Sequence, residues 1–275
     1  MDILLLLGET KSSVNARAYA QALAQKSGSS LAGLAGIDLS VIEARMPGAI
    51  GRAAYRLKLE EQLKKQAADA AQRVREAHER ECSAHNLAHE WLSFEGDPLA
   101  AIKAAAETRD VIVTGHDTSF HGDTGEALPD MMSKLLSMTP RPVVVCADEP
   151  PSGHDVLVAC DGSLPCTRAI QLFALLGLWK ERRIHVTSID ANRQIATSRV
   201  NGAAAYLRKH GYQVDENPVA SDLHPSEALQ IEIADRKIGT LVMGAYGHRG
   251  LREVLFGSTT TSLVENPPCA LFIYH

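Results

Sequence analysis

The chain has 275 residues, of which 45% are hydrophobic and 22% are charged, so it can form one large or two ordinary domains with a sizeable core. Its formal net charge of −5 excludes a general binder of the nucleic-acid backbone, which needs a surplus of Lys and Arg. No apolar stretch reaches the length of a membrane span, and the five cysteines match neither a zinc ribbon nor a CxxC redox pair, which favours a reducing, cytoplasmic setting.

The first part of the chain alternates apolar strands with helices. It opens with the apolar run 3–7 and has no basic segment before it, which predicts a buried strand rather than a leader peptide. The charged, amphipathic segment 52–84 predicts one long helix that lies on the sheet, with a coiled-coil arm as the alternative. Further strands are predicted at 31–37, 89–94, 111–113 and 143–145, and helices from Asp97 and around 131–137.

A polar, proline-rich segment at 148–153 is typical of a linker and predicts domains at 1–147 and 154–275. Segment 212–220 is a poor strand candidate because it contains Pro218. The final strand, 269–274, is a candidate exposed edge on which two chains could pair. Other strands after the linker are predicted at 155–160, 184–189 and 240–243, and helices at about 192–209, 226–237 and 258–264.

The two halves repeat one another. The interval from the first strand to the aspartate that ends the second is 36 residues for Asp2–Asp38 and 35 for Asp155–Asp190. Each half then has a strand that ends in glycine, at Gly115 or Gly244, followed by a loop, a short helix and a last strand that begins after proline. This alternation predicts an α/β fold with two tandem doubly wound domains, each a five-stranded parallel sheet flanked by helices.

The loop after Gly244 has the spacing G-x2-G-x9-G-S, formed by Gly244, Gly247, Gly257 and Ser258. Glycine permits a sharp turn or a close backbone approach, and a helix that begins at Ser258 would offer free N–H groups to phosphate. The loop also contains three side chains that can carry positive charge: His248, Arg249 and Arg252. Neither a Walker A motif nor a GxGxxG dinucleotide motif after a first strand is present.

This spacing resembles the ATP-binding signature of the universal stress protein family, and VLVACDGS at 156–163 resembles the family's first strand with its acidic residue. The resemblance covers both halves, but the motif is complete only in the second. It implies an ATP-binding cytoplasmic protein with a stress or regulatory role, and Mg²⁺ as a candidate companion of the nucleotide. It also implies that the halves pack as a pseudo-dimer, that chains pair further as a homodimer, and that a protein partner is conceivable.

The resemblance also implies roles for individual residues. The adenosine end would be contacted by residues near the ends of the first two strands of the second half: Ala159, Asp161 and Val186. The ribose and α-phosphate would lie beside Met243 and Gly244. The phosphates would be held by residues of the loop and the following helix: Gly247, Gly257, Ser258 and Thr259.

The first half departs from this pattern. Gly8 stands where the second half has Asp161, and Thr118 stands where it has Gly247. We therefore predict that the first half is a degenerate domain that does not bind ATP in the manner of the family, which leaves one nucleotide per chain.

Two other functions stay open. The chain could be a nucleotide-independent interaction module with a vestigial loop, or a slow ATPase or phosphotransferase, although no catalytic residue can be named and no GxSxG motif occurs. Cys160 and Cys166 are interpreted as core thiols, with a redox pair as the alternative. A polar cluster after Gly115 is interpreted as a solvated loop, with metal binding as the alternative; its members are His116, Asp117, His121 and Asp123.

Overall fold

A computed structural model describes residues 1–44, 53–118, 120, 129–245 and 257–275. Before the linker, the strands are β1 (Asp2–Leu6), β2 (Ser30–Asp38), β3 (His89–Gly96), β4 (Val111–Gly115) and β5 (Val143–Cys146). The helices of this half are α1 (Lys11–Ser27), α2 (Leu39–Ala44), α3 (Ala53–Ala84), α4 (Pro98–Ala106) and α5 (Pro129–Met138).

After the linker, the strands are β6 (Asp155–Ala159), β7 (Arg183–Asp190), β8 (Gln213–Ala220), β9 (Ile238–Gly244) and β10 (Ala270–Tyr274). The helices are α6 (Leu164–Leu175), α7 (Arg193–Lys209), α8 (Pro225–Asp235) and α9 (Ser258–Glu265). Three of these helices begin at side-chain caps that bond a backbone N–H of the first turn: Ser163 for α6, Asn192 for α7 and His224 for α8.

The described strands form one ten-stranded sheet in the order β3-β2-β1-β4-β5-β10-β9-β6-β7-β8. Each half contributes five strands that pair in parallel, as the sequence predicts. The halves meet where β5 and β10 pair antiparallel, with Phe272 opposite Val144. The fold is therefore the expected pair of tandem doubly wound α/β units, joined edge to edge into a single sheet.

The last strand is not an exposed edge, so that expectation is wrong. β10 pairs with β9 on one side and with β5 on the other, and Leu271, Phe272 and Ile273 are fully buried. The true edges of the described sheet are β3 and β8. Segment 213–220, a poor candidate by its sequence, forms β8; Pro218 is tolerated there because an edge strand has only one neighbour, β7.

The long charged segment forms a single helix that packs on the sheet rather than a coiled-coil arm. The buried face of α3 contains Ala67, Val74 and Cys82, and His78 is wholly buried with its ring against β2 at Gly33. Burial lowers the pKa of His78 to about 4, aided by the nearby His89 and Arg17. Within the described residues, no helix is both long and apolar enough to cross a membrane.

The two halves also contact each other away from the sheet edge. Trp179 Nε1 donates a hydrogen bond to Tyr19 Oη at 2.7 Å, and the two rings meet edge to face with centroids 5.4 Å apart. Tyr19 Oη lies 3.3 Å from Thr240 Oγ1, and burial raises the pKa of Tyr19 to about 12. The guanidinium of Arg182 covers the Trp179 ring at 3.5 Å. These contacts hold α1 of the first half against the second half.

Candidate functional site

A cavity of about 470 Å³ opens at the carboxyl ends of β6, β7 and β9, beside the N-terminus of α9. This is the position at which open α/β sheets bind ligands, and the volume lies within the range of about 300–1,000 Å³ that is usual for ligand cavities. The cavity is lined by Ala159, Cys160, Asp161, Thr187, Ile189, Asp190, Arg199, Pro225, Leu229, Met243, Gly244, Gly257, Ser258, Thr259 and Thr260.

Most of the residues singled out by the sequence come together here. The members that line the cavity are Ala159, Asp161, Met243, Gly244, Gly257, Ser258 and Thr259. Val186 does not: it is fully buried in β7, and the following residue, Thr187, lines the cavity instead because side chains alternate along a strand. Gly247, His248, Arg249 and Arg252 lie outside the described residues.

Asp161 has a structural task as well as a place in the cavity. Its Oδ1 accepts a hydrogen bond from the Ser163 backbone N–H at 2.9 Å, which fixes the turn between β6 and α6. Gly162 adopts a φ of +79°, a conformation that favours glycine. Ser163 Oγ then caps α6 by accepting from Cys166 N at 3.3 Å. The carboxylate of Asp161 is therefore held in place before any ligand arrives.

Gly244 is required by packing. A Cβ atom at this position would lie 2.6 Å from the carbonyl carbon of Pro165 and 2.7 Å from Cα of Cys166. The end of β9 thus approaches the first turn of α6 more closely than any side chain allows. Gly115 has the same role in the first half, where a Cβ atom would lie 2.7 Å from Ser13 N. The recurrence of this glycine in both halves is explained by packing without reference to a ligand.

Gly257 is in a different situation. Its φ of −69° and ψ of 150° are open to any residue, and no atom of the described residues lies within 4 Å of the position that a Cβ atom would occupy. It is the N-cap residue of α9 and makes no side-chain capping bond. Within the described residues no side chain caps α9, so its first turn meets the cavity with backbone N–H groups and with the hydroxyls of Ser258, Thr259 and Thr260. Such a helix end attracts an anion.

Several lining residues were missed by sequence reasoning. Arg199 Nη1 and Asp190 Oδ2 form an ion pair of 2.9 Å on the cavity wall, so a cation and an anion face the same space. Ile189, Pro225 and Leu229 add an apolar wall. The one available signal for Arg199 was its helical spacing of three from Ala196, which places a charged residue beside the apolar face of α7.

His224 was also missed. It caps α8 through Nδ1, and its Nε2 lies 3.0 Å from Ser258 Oγ at the border of the cavity. The sequence offered no sign of this contact because the two residues belong to different helices, 34 positions apart.

The cysteines are buried and free, as expected for core thiols. Cys166 Sγ donates to Ala159 O at 3.4 Å, and Cys160 Sγ donates to Arg199 O at 3.8 Å. The hydrogen bond with the Cys160 thiol, together with burial, raises the pKa of Cys166 above the usual range of a thiol. A thiol with a raised pKa is a poor nucleophile, which fits a structural role for Cys166.

Among the described residues, side chains fill the equivalent place in the first half. At the carboxyl ends of β1 and β2 a cavity of only about 10 Å³ remains, room for about one water molecule. Leu7 takes the place of Cys160, and Phe120 packs edge to face on Phe94 with centroids 5.0 Å apart. Ala70 and Val74 of α3 close the remaining space. Side chains of the first half therefore occupy the volume that is open in the second.

The polar cluster after Gly115 has internal partners. His116 Nε2 lies 3.2 Å from Asp148 Oδ1, and Ser12 Oγ donates to Asp117 Oδ1. One candidate ligand atom from each of His116, Asp117 and Asp148 lies within 4.8 Å of the others, but the Asp148 side chain is half exposed. His121 and Asp123 lie outside the described residues. The described part of the cluster is explained by its own hydrogen bonds and solvent.

The fold and the cavity define a class of protein: a tandem doubly wound α/β chain with a candidate ligand cavity at the carboxyl ends of its second set of strands. The universal stress protein family matches residues 153–275. Universal stress protein Slr1230 of Synechocystis sp. is 27% identical over 136 residues, which are 49% of this chain and 47% of that protein. The chain thus matches about half the length of this relative. Residues 153–275 are therefore similar to the universal stress protein family.

Solved structures extend the likeness in fold to the whole chain. A universal stress protein from Archaeoglobus fulgidus is 18% identical, with 99% of this chain and 95% of that chain covered at a TM-score of 0.65. A functionally unknown protein from Pseudomonas aeruginosa, PA1789, is 17% identical, with 99% and 92% covered at a TM-score of 0.55. At these identities the likeness concerns the fold, and it includes the first half.

Proposed function

We propose that the chain binds one ATP molecule in the cavity of its second half and serves a regulatory role in the stress response. The observation that carries the proposal is that the start of α9 and the Asp161 carboxylate line the same cavity. The first turn of α9, which no side chain of the described residues caps, suits phosphates, and the Asp161 carboxylate just after β6 suits the hydroxyls of a ribose.

The walls of the cavity suit the rest of the nucleotide. Ala159, Ile189 and Leu229 offer apolar contact to a purine ring. In this proposal Met243 and Gly244 lie beside the ribose and the α-phosphate. The phosphates contact Gly257, Ser258 and Thr259, with Gly247 and Mg²⁺ as further members of the phosphate site.

We further propose that the two domains span residues 1–147 and 154–275 and that the protein is cytoplasmic. The five free, buried cysteines support a reducing compartment. The first half acts as a structural or partner-binding domain, since side chains of its described residues fill the equivalent place. If chains form a homodimer, they must use a surface other than β10, which is already paired on both sides.

Titration calorimetry with ATP, with and without Mg²⁺, tests the proposal. Wild type should bind one ATP per chain, and Gly257→Val should weaken binding by about tenfold or more, because the added methyl groups enter the space beside α9. The control is Gly202→Val on α7, where a Cβ atom also meets open space, away from the cavity. If wild type and Gly257→Val bound ATP with equal affinity, the phosphates would not bind at the first turn of α9.

The two other functions give different results. A nucleotide-independent interaction module shows no ATP binding by wild type, and that result would refute the proposal. A slow ATPase or phosphotransferase releases or transfers phosphate at a rate that survives purification and falls in Gly257→Val. We assign no catalytic residue within the part of the chain that the structure describes.

A further inference from the structure

His224 has a hydrogen-bonding pattern that determines which ring nitrogen carries the proton. Nδ1 lies 3.4 Å from the Ser226 backbone nitrogen and 2.7 Å from Ser226 Oγ. A backbone N–H can only donate, so Nδ1 must accept. In the neutral ring the proton then lies on Nε2.

This tautomer fixes the direction of the next hydrogen bond. Nε2 lies 3.0 Å from Ser258 Oγ, so the ring N–H donates to the serine oxygen. A serine hydroxyl has a single proton, and with His224 as donor that proton is directed away from the imidazole. Ser258 lines the cavity at the first position of α9. Its hydroxyl is therefore available to donate to a ligand in the cavity.

We propose that His224 is a positioning residue that orients the Ser258 hydroxyl to donate to a phosphate of the bound nucleotide. The inference rests on the proposed function, because it needs a phosphate at the N-terminus of α9. Phosphate oxygens accept hydrogen bonds, so a serine whose proton pointed at the imidazole would present a lone pair to them and repel them. The contact also ties the start of α8 to the start of α9, so the serine is held in place before binding.

The competing explanation is that His224 serves only as the cap of α8. Asparagine separates the two roles, because it is a favoured N-cap residue but is too short to reach Ser258. We expect His224→Asn to keep the thermal midpoint of wild type and to weaken ATP binding about 3- to 10-fold, the usual range for the loss of one hydrogen bond. His224→Ala should weaken binding equally and also lower the thermal midpoint.

A double-mutant cycle shows whether His224 acts through Ser258. Ser258→Ala removes the hydroxyl, so adding His224→Asn to it should change the affinity no further. Additive losses in the double variant, or wild-type affinity in His224→Asn, would overturn the inference while leaving the proposed function in place. Absence of ATP binding by wild type would overturn the proposed function, and the inference with it.

The tautomer can be measured without nucleotide. Long-range ¹⁵N–¹H spectra of the histidine rings, assigned by the loss of signals in His224→Asn, should show His224 protonated on Nε2 and unprotonated on Nδ1. A ring protonated on Nδ1 alone would overturn the inference, whatever the affinity for ATP.

Discussion

Gly244 and Cys166 approach so closely that a Cβ atom on the glycine would lie 2.7 Å from Cα of the cysteine. The obstacle is the backbone of α6 rather than the end of a flexible side chain, so Gly244→Ala forces the helix and the strand apart. We expect this variant to lose about 1–3 kcal/mol of unfolding free energy, as overpacked cores do. Urea denaturation followed by circular dichroism measures the loss.

The matched control is Gly257→Ala. Its backbone angles suit any residue and its Cβ would meet no atom of the described residues, so the cost should stay near the few tenths to about 1 kcal/mol of a glycine cap replaced by alanine. Gly115→Ala should behave like Gly244→Ala, because its Cβ would meet Ser13. Equal losses at Gly244 and Gly257 would contradict the packing explanation.

Tyr19 and Trp179 provide a test of the contact between the halves. Tyr19→Phe removes the oxygen that accepts from Trp179 Nε1, and the indole N–H is left without a partner in a side chain that is only 3% exposed. The loss should be about 1–3 kcal/mol in urea denaturation, the usual cost of an unsatisfied buried donor. Tyr206→Phe, which leaves this contact intact, is the control and should change stability by less than about 0.5 kcal/mol. Equal losses of unfolding free energy in the two variants would show that the Tyr19 hydroxyl does not stabilise the contact between the halves.

Much of the fold follows from local patterns. The apolar run 3–7 is wholly buried and supplies all of β1 except its first residue, and the amphipathic segment predicted at 52–84 forms α3 within one residue of its bounds. The position of the cavity was predictable too, because the loop glycines and Asp161 follow strands whose carboxyl ends share one edge of the sheet.

The rest depends on contacts between distant parts of the chain. The pairing of β10 with β5 could not be foreseen, since an apolar strand looks the same at an edge and in the interior of a sheet. The family resemblance indicates Val186, whereas Thr187 lines the cavity, because side chains alternate along a strand and an offset of one residue changes the face. Arg199 and His224 reach the site from helices whose own sequences contain no binding motif.

The antiparallel pairing of β5 with β10 predicts how the second half behaves alone. A polypeptide of residues 153–275 exposes the edge of β10 that β5 normally covers, and exposed apolar edges pair with other strands. We expect this fragment to dimerise through β10 in sedimentation equilibrium, with amides 270–274 protected from hydrogen exchange as in the full chain. A monomeric fragment, or rapid exchange at these amides, would contradict the prediction.

His78 makes stability depend on pH. Its folded pKa of about 4 lies below the ordinary value of 6.5 because the ring is buried, so between these two values the unfolded chain binds a proton that the folded chain does not. The contribution of His78 to the free energy of unfolding is therefore fully present above pH 6.5. It is lost as the pH drops towards 4, and the loss amounts to about 3 kcal/mol in total.

Urea denaturation at several pH values between 7.5 and 4.5 measures this effect. His78→Gln cannot titrate, so its stability should fall less steeply than that of wild type as the pH is lowered. The cost of the substitution itself is obtained at pH 7.5, where the imidazole is neutral in both states, which separates lost packing against Gly33 from the proton effect. Parallel curves for the two proteins would mean that His78 is not the group responsible.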